Sequence, residues 1–466
     1  MFAEICHLPL CADLFGLFQQ DLSSASPVNG FSSMFDTTLF EWNVLQAHER
    51  NSYSRGQLVS FQQSRLQELL GYIKHRSPWY QHYLRGIDVD GITLASYKEL
   101  IPVMTKKELM SNWDEIVTDQ CLKLDDITSF LNDQQRVSSS DYIYRDTFHV
   151  LSTSGSSGTP GVYVYTSEEW SFFCSQYYRY PRDYQNMCVV NITSVSKLFA
   201  LPKSLASVMS EDDYITIDPS IADNELASSL NRLQPDMIII LPSYLSRILD
   251  LHINGILTID PQVIVTGAEP LHPFLKSRAR DCWPQCKVQN NYGGSEGFAA
   301  LSPHVDSCMH INEDFAFFEY NSDGSFYITN LFAKSLPILR FHIEDRLDIF
   351  HDTKCLECGS SFLRINEPQG RCSDTLAFGN SLINSVDLVN VMNHFPEVGT
   401  YQIYQLSRGL EIRNEDSSKS FYFEKVKSAL FDFLINSGID EPLIVFSSDK
   451  PVRQPSGKLR LVVPLP

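Results

Sequence analysis

Positive charge is scarce in this chain. Its 37 Lys and Arg stand against 56 Asp and Glu, a formal charge of −19. A nonspecific nucleic-acid binder needs a basic face, so no nucleic-acid partner is expected. Long apolar runs are missing too: none approaches the roughly 20 residues that span a bilayer, so no membrane span is expected. The opening Met1-Phe-Ala-Glu-Ile-Cys6 lacks the basic region and long apolar segment of a secretory signal. Eleven cysteines, an odd number scattered widely, do not form a disulfide framework, and the expected compartment is the reducing cytoplasm. There is no internal repeat and no low-complexity tract. What is present is ordinary globular composition, 43% hydrophobic and 20% charged, over 466 residues. That length allows two or three domains with sizeable cores.

The stretch Leu151-Ser-Thr-Ser-Gly-Ser-Ser-Gly-Thr-Pro-Gly-Val162 carries the first chemical signal. An apolar run from Phe148 to Leu151 reads as a buried strand that stops in hydroxyls and glycines. Gly155 and Gly158 allow backbone turns that gather N–H groups into a nest for an anion such as phosphate. Thr153, Ser154, Ser156, Ser157 and Thr159 add hydroxyls. No Gly-Lys-Ser/Thr follows, which excludes a Walker loop. A flexible Gly/Ser linker is the competing reading of these residues.

Residues 1–56 read as an extension, with an amphipathic helix over Phe35 to His48. From Gln57 helical spacing sets in, with Leu66, Leu69, Leu70 and Ile73 on one face. Thr105 reads as a helix cap. Asp125 to Asp141 reads as a polar, turn-rich surface excursion. After the loop, helices and strands alternate: Thr166 to Arg179 helix capped by Ser167, Cys188 to Ile192 strand, Ser196 to Met209 helix, Tyr214 to Ile217 strand, Asn224 to Leu233 helix. Met237 to Pro242 strand, Ser243 to Leu251 helix and Gln262 to Thr266 strand continue the pattern. Such alternation predicts an α/β fold of parallel strands covered by helices. Residues 57–369 are expected as a large domain, with 310–366 a small antiparallel β region around an Asp323-Gly324 hairpin. Residues 370–466 are expected as a small mobile α+β domain.

Further motifs follow the loop in order: Val265-Thr-Gly-Ala-Glu-Pro270, Asn291-Tyr-Gly-Gly-Ser-Glu-Gly297, Leu339-Arg-Phe-His-Ile-Glu-Asp345, Gly370-Arg371 with Asp374, and Pro455-Ser-Gly-Lys458. In this order the chain resembles the adenylate-forming (acyl-activating) superfamily, nearest to its phenylacetate–CoA ligase-like branch, over about Leu66 to Leu461. The resemblance implies an enzyme that joins ATP and a carboxylic acid into acyl-AMP with loss of pyrophosphate, then passes the acyl group to CoA or a carrier-protein thiol. An aromatic or biosynthetic acid is the expected substrate class. It also implies residue roles. Thr153, Ser154, Gly155, Ser156, Ser157, Gly158 and Thr159 would wrap the β- and γ-phosphates. Gly267, Ala268, Glu269 and Pro270 would flank the adenine, Tyr292 would stack near it, and Asn291, Gly293 and Ser295 belong to the same nucleotide site. Glu296 would hold Mg²⁺, a hard cation that takes carboxylate oxygen. Asp345, supported by Arg371, would bind the ribose hydroxyls, and Lys458 would reach the carboxylate oxygen and α-phosphate.

Each residue has a bland reading: Glu296 a surface carboxylate, Asp345 an exposed ion-pair partner of Arg346, Lys458 a solvated tail lysine. The chain departs from the superfamily at Gly161 (commonly lysine), Ser157 (threonine), Glu344 (glycine) and Ser373 (aspartate or lysine). Gly379 to Ile383 matches the CoA-side loop only loosely. An amide-forming ligase and a degenerate nucleotide-binding scaffold are the alternatives, and a homodimer is compatible with the sequence. Finally, Cys308 and His310, with Cys355 and Cys358, have the pattern of a structural zinc clamp closing a small sheet; unconnected thiols and a surface histidine are the alternative.

Overall fold

The computed structural model describes residues 35–134, 143–153, 160–180, 187–194, 196, 199–209, 214–303, 308–321, 324–350, 354–368, 375–379, 381–415, 422–454 and 457–465. The Ser154 to Thr159 stretch, Arg371 and Asp374 lie outside the described residues.

Helix α1 (Thr37–Arg50) is capped by Asp36, whose carboxylate accepts from the Leu39 amide at 2.8 Å. It buries Phe40, Val44 and Ala47 and packs on α3 (Ser167–Ser175). Its last residue, Arg50, shares the Asp314 carboxylate with Arg179 at 2.7 and 2.6 Å, with all three side chains almost fully enclosed. Removing one member of such a group strands buried charge. Helix α2 (Arg55–Ile73) follows, with Ser54 and Gln57 forming a reciprocal cap.

The centre is a nine-stranded sheet. In chain order its strands are β1 (Val189–Ile192), β2 (Tyr214–Thr216), β3 (Met237–Ile240), β4 (Val263–Gly267), β5 (Lys287–Gly294), β6 (Phe298–Leu301), β7 (Met309–Ile311), β8 (Ile349–Phe350) and β9 (Arg364–Ile365). Their spatial order is β8-β9-β7-β6-β5-β4-β3-β1-β2. The half from β2 to β5 is parallel, which is why β3, covered on both faces, is the unbroken apolar run Met-Ile-Ile-Ile. Register pairs Ile240 with Thr266 and Gly267 with Asn291, so β3 and β4 end within one residue of each other while β5 runs on to Gly294 against β6. Helices α4 (Pro242–Ile253) and α5 (Pro273–Cys282) leave that edge, each opened by a proline that needs no amide partner there.

Residues 310–366, expected as one antiparallel unit, divide between two sheets. β7, β8 and β9 extend the central sheet, while Ala316–Tyr320, Phe326–Asn330 and Phe341–Ile343 form their own three-stranded sheet. Sequence patterning marks strands but not their partners. The helix cap at 166–167 is Thr166, not Ser167; its hydroxyl accepts from Glu169 N and Glu169 returns the bond. Strand Val162–Thr166, unforeseen, pairs antiparallel with Phe148–Ser152. The polar excursion is a helix, Leu124–Gln134, with Ile127 and Leu131 buried one turn apart.

The C-terminal module holds a four-stranded sheet (Tyr401–Leu406, Gly409–Asn414, Leu443–Ser447, Val462–Val463) with helices Ser385–Met392 and Phe423–Asn436. It has its own core, from Leu376 to Val462. No helix among the described residues is long and apolar enough to cross a membrane.

Candidate functional site

The carboxyl edge of β3, β4 and β5 is where open α/β sheets bind ligands. Here it forms one wall of a cleft of about 280 Å³. Ala268, Pro270, Tyr292 and Asp345 line that wall, and Tyr401 and Lys458 of the C-terminal module line the other. Gly267, Asn291 and Gly293 sit at the strand ends. A Cβ on Gly293 would meet Tyr177 Oη at 2.6 Å and Phe298 O at 2.7 Å, so only glycine fits. Ala268 adopts φ +65°, turning the chain sharply out of β4.

Two of the expected nucleotide residues touch: Tyr292 Oη donates to Asp345 Oδ2 at 2.7 Å. The Tyr292 ring is held edge-on to Phe298, centroids 5.3 Å apart. Glu296 lies in the turn between β5 and β6; its Oε1 accepts from Tyr163 Oη at 2.8 Å and its carbonyl from Asn330 Nδ2 at 2.8 Å. The Ser295 carbonyl accepts from Tyr165 Oη at 2.5 Å.

The base of the Gly/Ser stretch is closed by Thr153. Its amide donates to Gly161 O at 2.9 Å and its Oγ1 accepts from Gly161 N at 2.8 Å. The same Oγ1 accepts from Lys106 Nζ at 3.2 Å. Lys106 was legible only as the first residue of a capped helix; Thr105 does cap Lys106–Ser111. Its place beside the loop base puts a cation near the expected phosphates, where position 161 supplies none. Only its tertiary contact reveals this.

The Glu269 carboxylate is turned towards protein donors. It accepts from Ser243 N at 2.9 Å, Ser243 Oγ at 3.1 Å and Leu459 N at 2.6 Å. Burial pushes its pKa up, against the pull of those donors. Nearby, Glu367 accepts from Asn290 Nδ2 at 2.6 Å and is also raised by burial. His272, on the cleft wall and at the N-terminus of α5, is pushed down to about 4 by burial.

At the far edge of the central sheet, ligand atoms of His310, Cys355 and Cys358 lie within 4.8 Å of one another. Cys358 Sγ is 3.9 Å from His310 Nδ1, and burial pushes its thiol up to about 11. Cys308 stands outside this group of three, with Arg364 and Cys355 as neighbours. The structure thus brings three of the four expected ligands together.

No protein-family model matches the chain, and no curated protein matches its sequence significantly. Solved structures do. A 2-hydroxyisobutyryl-CoA ligase in the postadenylation state with R3-HIB-AMP is 15% identical with a TM-score of 0.66, covering 96% of this chain and 95% of that one. The same ligase in an open conformation with 2-HIB-AMP and CoA gives 15% and 0.58, covering 91% and 97%. In its thioesterification state with 2-HIB-AMP and CoA it gives 15% and 0.56, covering 96% and 94%. These likenesses show the fold: a large α/β part followed by a small C-terminal part.

Proposed function

We propose that this chain is an ATP-dependent ligase that converts a carboxylic acid to acyl-AMP and then passes the acyl group to a thiol, CoA in the first place. The observation that carries the reading is convergence. Ala268, Pro270, Asn291, Tyr292, Asp345 and Lys458 come from four separate sequence motifs, yet all line one cleft. A surface lysine and a surface carboxylate have no reason to face each other across one cleft.

The residues fit a nucleotide. The cleft floor offers glycines without room for side chains, a phenol linked to a carboxylate, and a lysine from the opposite wall. Tyr292 and Asp345 would hold the ribose and adenine edge. Lys106, Thr153 and the Ser154 to Thr159 stretch would receive the β- and γ-phosphates. Glu296 supplies the hard oxygen that Mg²⁺ takes, and Tyr163 fixes its orientation. Lys458 would stabilise the charge that builds as the carboxylate oxygen meets the α-phosphorus, a role for a preorganised cation. Arg371, outside the described residues, is proposed from the sequence alone to support Asp345 at the ribose. The reducing cytoplasm is the compartment proposed with this activity.

A structural zinc is proposed at His310, Cys355 and Cys358, with Cys308 as fourth ligand. One imidazole and two thiols at this spacing are a zinc donor set, and zinc would displace the thiol protons on binding.

Acid-dependent exchange of pyrophosphate into ATP, over a panel of aryl, hydroxy, fatty and amino acids with and without CoA, tests the proposal. Exchange with at least one acid supports it. Absence of exchange with every acid, in folded protein that still binds ATP, leaves the scaffold alternative.

A further inference from the structure

The two walls of the cleft belong to parts with separate hydrophobic cores. Among the described residues, no core cluster of the large part includes a residue beyond Ile365, and the C-terminal cluster runs from Leu376 to Val462. One contact between the two parts lies directly beside Lys458 in the chain. That contact is the hairpin whose arms meet at Arg453 and Leu459. Leu459 N donates to Glu269 Oε1 at 2.6 Å, and Arg453 Nη1 donates to Ser243 Oγ at 2.7 Å. Ser243 in turn donates its amide and hydroxyl to Glu269. The Arg453 guanidinium lies 4.0 Å over the Tyr244 ring, and Gly457, at φ +82°, is placed so that a Cβ there would come within 3.4 Å of Tyr244 Oη.

One carboxylate thus ties three things together: the turn after β4, the N-terminus of α4 and the backbone next to Lys458. A buried carboxylate at a helix N-terminus is itself favoured by the amides there. It is pre-set before the hairpin arrives, and the hairpin adds its third donor. We infer that Glu269 is a positioning residue, a latch that seats the Arg453–Leu459 hairpin and so holds Lys458 in the cleft. The inference rests on the role proposed above for Lys458. It assigns Glu269 to the C-terminal module rather than to the nucleotide. A latch of few polar bonds is also releasable, which a step requiring Lys458 to withdraw would need.

The test uses Glu269→Ala and Glu269→Gln in the full chain. The Gln variant keeps one acceptor but must aim its NH₂ at a donor, so it loses one of the bonds. Two readouts separate the questions. Hydrogen exchange of a peptide spanning 457–461 reads the latch directly. Loss of a bond to a charged acceptor should speed it roughly tenfold or more in Glu269→Ala, and less in Glu269→Gln. Pyrophosphate exchange reads the consequence: it should fall about tenfold in Glu269→Ala. In a Lys458→Ala background the same change should cost no more than about twofold, because both act through one group. Unchanged protection of 457–461 would overturn the latch. Protection lost with fully multiplicative rate losses would overturn the positioning role and return Glu269 to the nucleotide. If Lys458→Ala alone loses no exchange activity, the role proposed for Lys458 fails, and the protection readout still decides the latch.

Discussion

Replacing Tyr292 with Phe removes one oxygen and leaves the ring where it is. The edge-on contact with Phe298, at 65° between planes, holds the phenyl ring with or without its hydroxyl. What disappears is the 2.7 Å bond to Asp345 Oδ2. A hydrogen bond to a charged acceptor contributes roughly 1.5–3 kcal/mol. Both residues are half-buried, so water can replace part of the loss and the low end applies, about 1.5 kcal/mol. That is about tenfold in whatever depends on Asp345 being held in place. If Asp345 binds the ribose, the KM for ATP in acid-dependent exchange should rise about tenfold, with kcat changed less than about threefold. Repeating the assay with 2′- and 3′-deoxy-ATP sharpens the test. The variant and the missing hydroxyl remove parts of one network, so their effects should combine to less than their product. Fully multiplicative effects, or an unchanged KM for ATP, would refute the assignment of Asp345 to the ribose.

Lys458→Ala should lower pyrophosphate exchange by about a hundredfold or more, the scale of one preorganised charge donor, while transfer from a synthetic acyl-adenylate stays near the wild-type rate. Equal losses in both assays would mean misfolding or another role. His272 is half-buried on the cleft wall, and desolvation there lowers its pKa to about 4, against an ordinary 6.5. The unfolded chain takes up that proton first as pH falls, so its stability contribution is full above 6.5 and is lost towards 4. His272→Gln should flatten the urea-unfolding slope in that window by about 1 kcal/mol per pH unit; an unaltered slope contradicts it. Elemental analysis should find one zinc per chain. Chelation should lower stability by about 3 kcal/mol for metal held at a hundredfold excess over its Kd, and Cys355→Ser should abolish that difference. A metal-free protein indifferent to chelator would end the zinc proposal.

Much of the parallel half could be read from the chain because burial on both faces leaves an apolar signature, as in Met237 to Ile240. Several residues that line the cleft stand in motifs where a strand stops in glycines that close backbone approach requires, as at Gly293. Partnership was not legible. Nothing local says that Met309–Ile311 joins the central sheet while Ala316–Tyr320 does not. One polar helix also escaped: Leu124, Ile127, Phe130 and Leu131 stand at helical spacing, but Asp, Thr, Ser and Asn between them mask the stripe. Long-range polar contacts were invisible for the same reason: Lys106 to Thr153 spans 47 positions and Glu269 to Leu459 spans 190.

The central claim is that the acid oxygen attacks the α-phosphorus of ATP. An acid carrying ¹⁸O in its carboxylate, turned over with ATP and CoA, tests that directly. Attack forms an acyl–O–P bridge from a carboxylate oxygen and expels pyrophosphate. Thiol attack then breaks the acyl C–O bond, leaving that oxygen on phosphorus. The account predicts AMP containing one ¹⁸O for each thioester formed. Unlabelled AMP, or ADP as the nucleotide product, would contradict it.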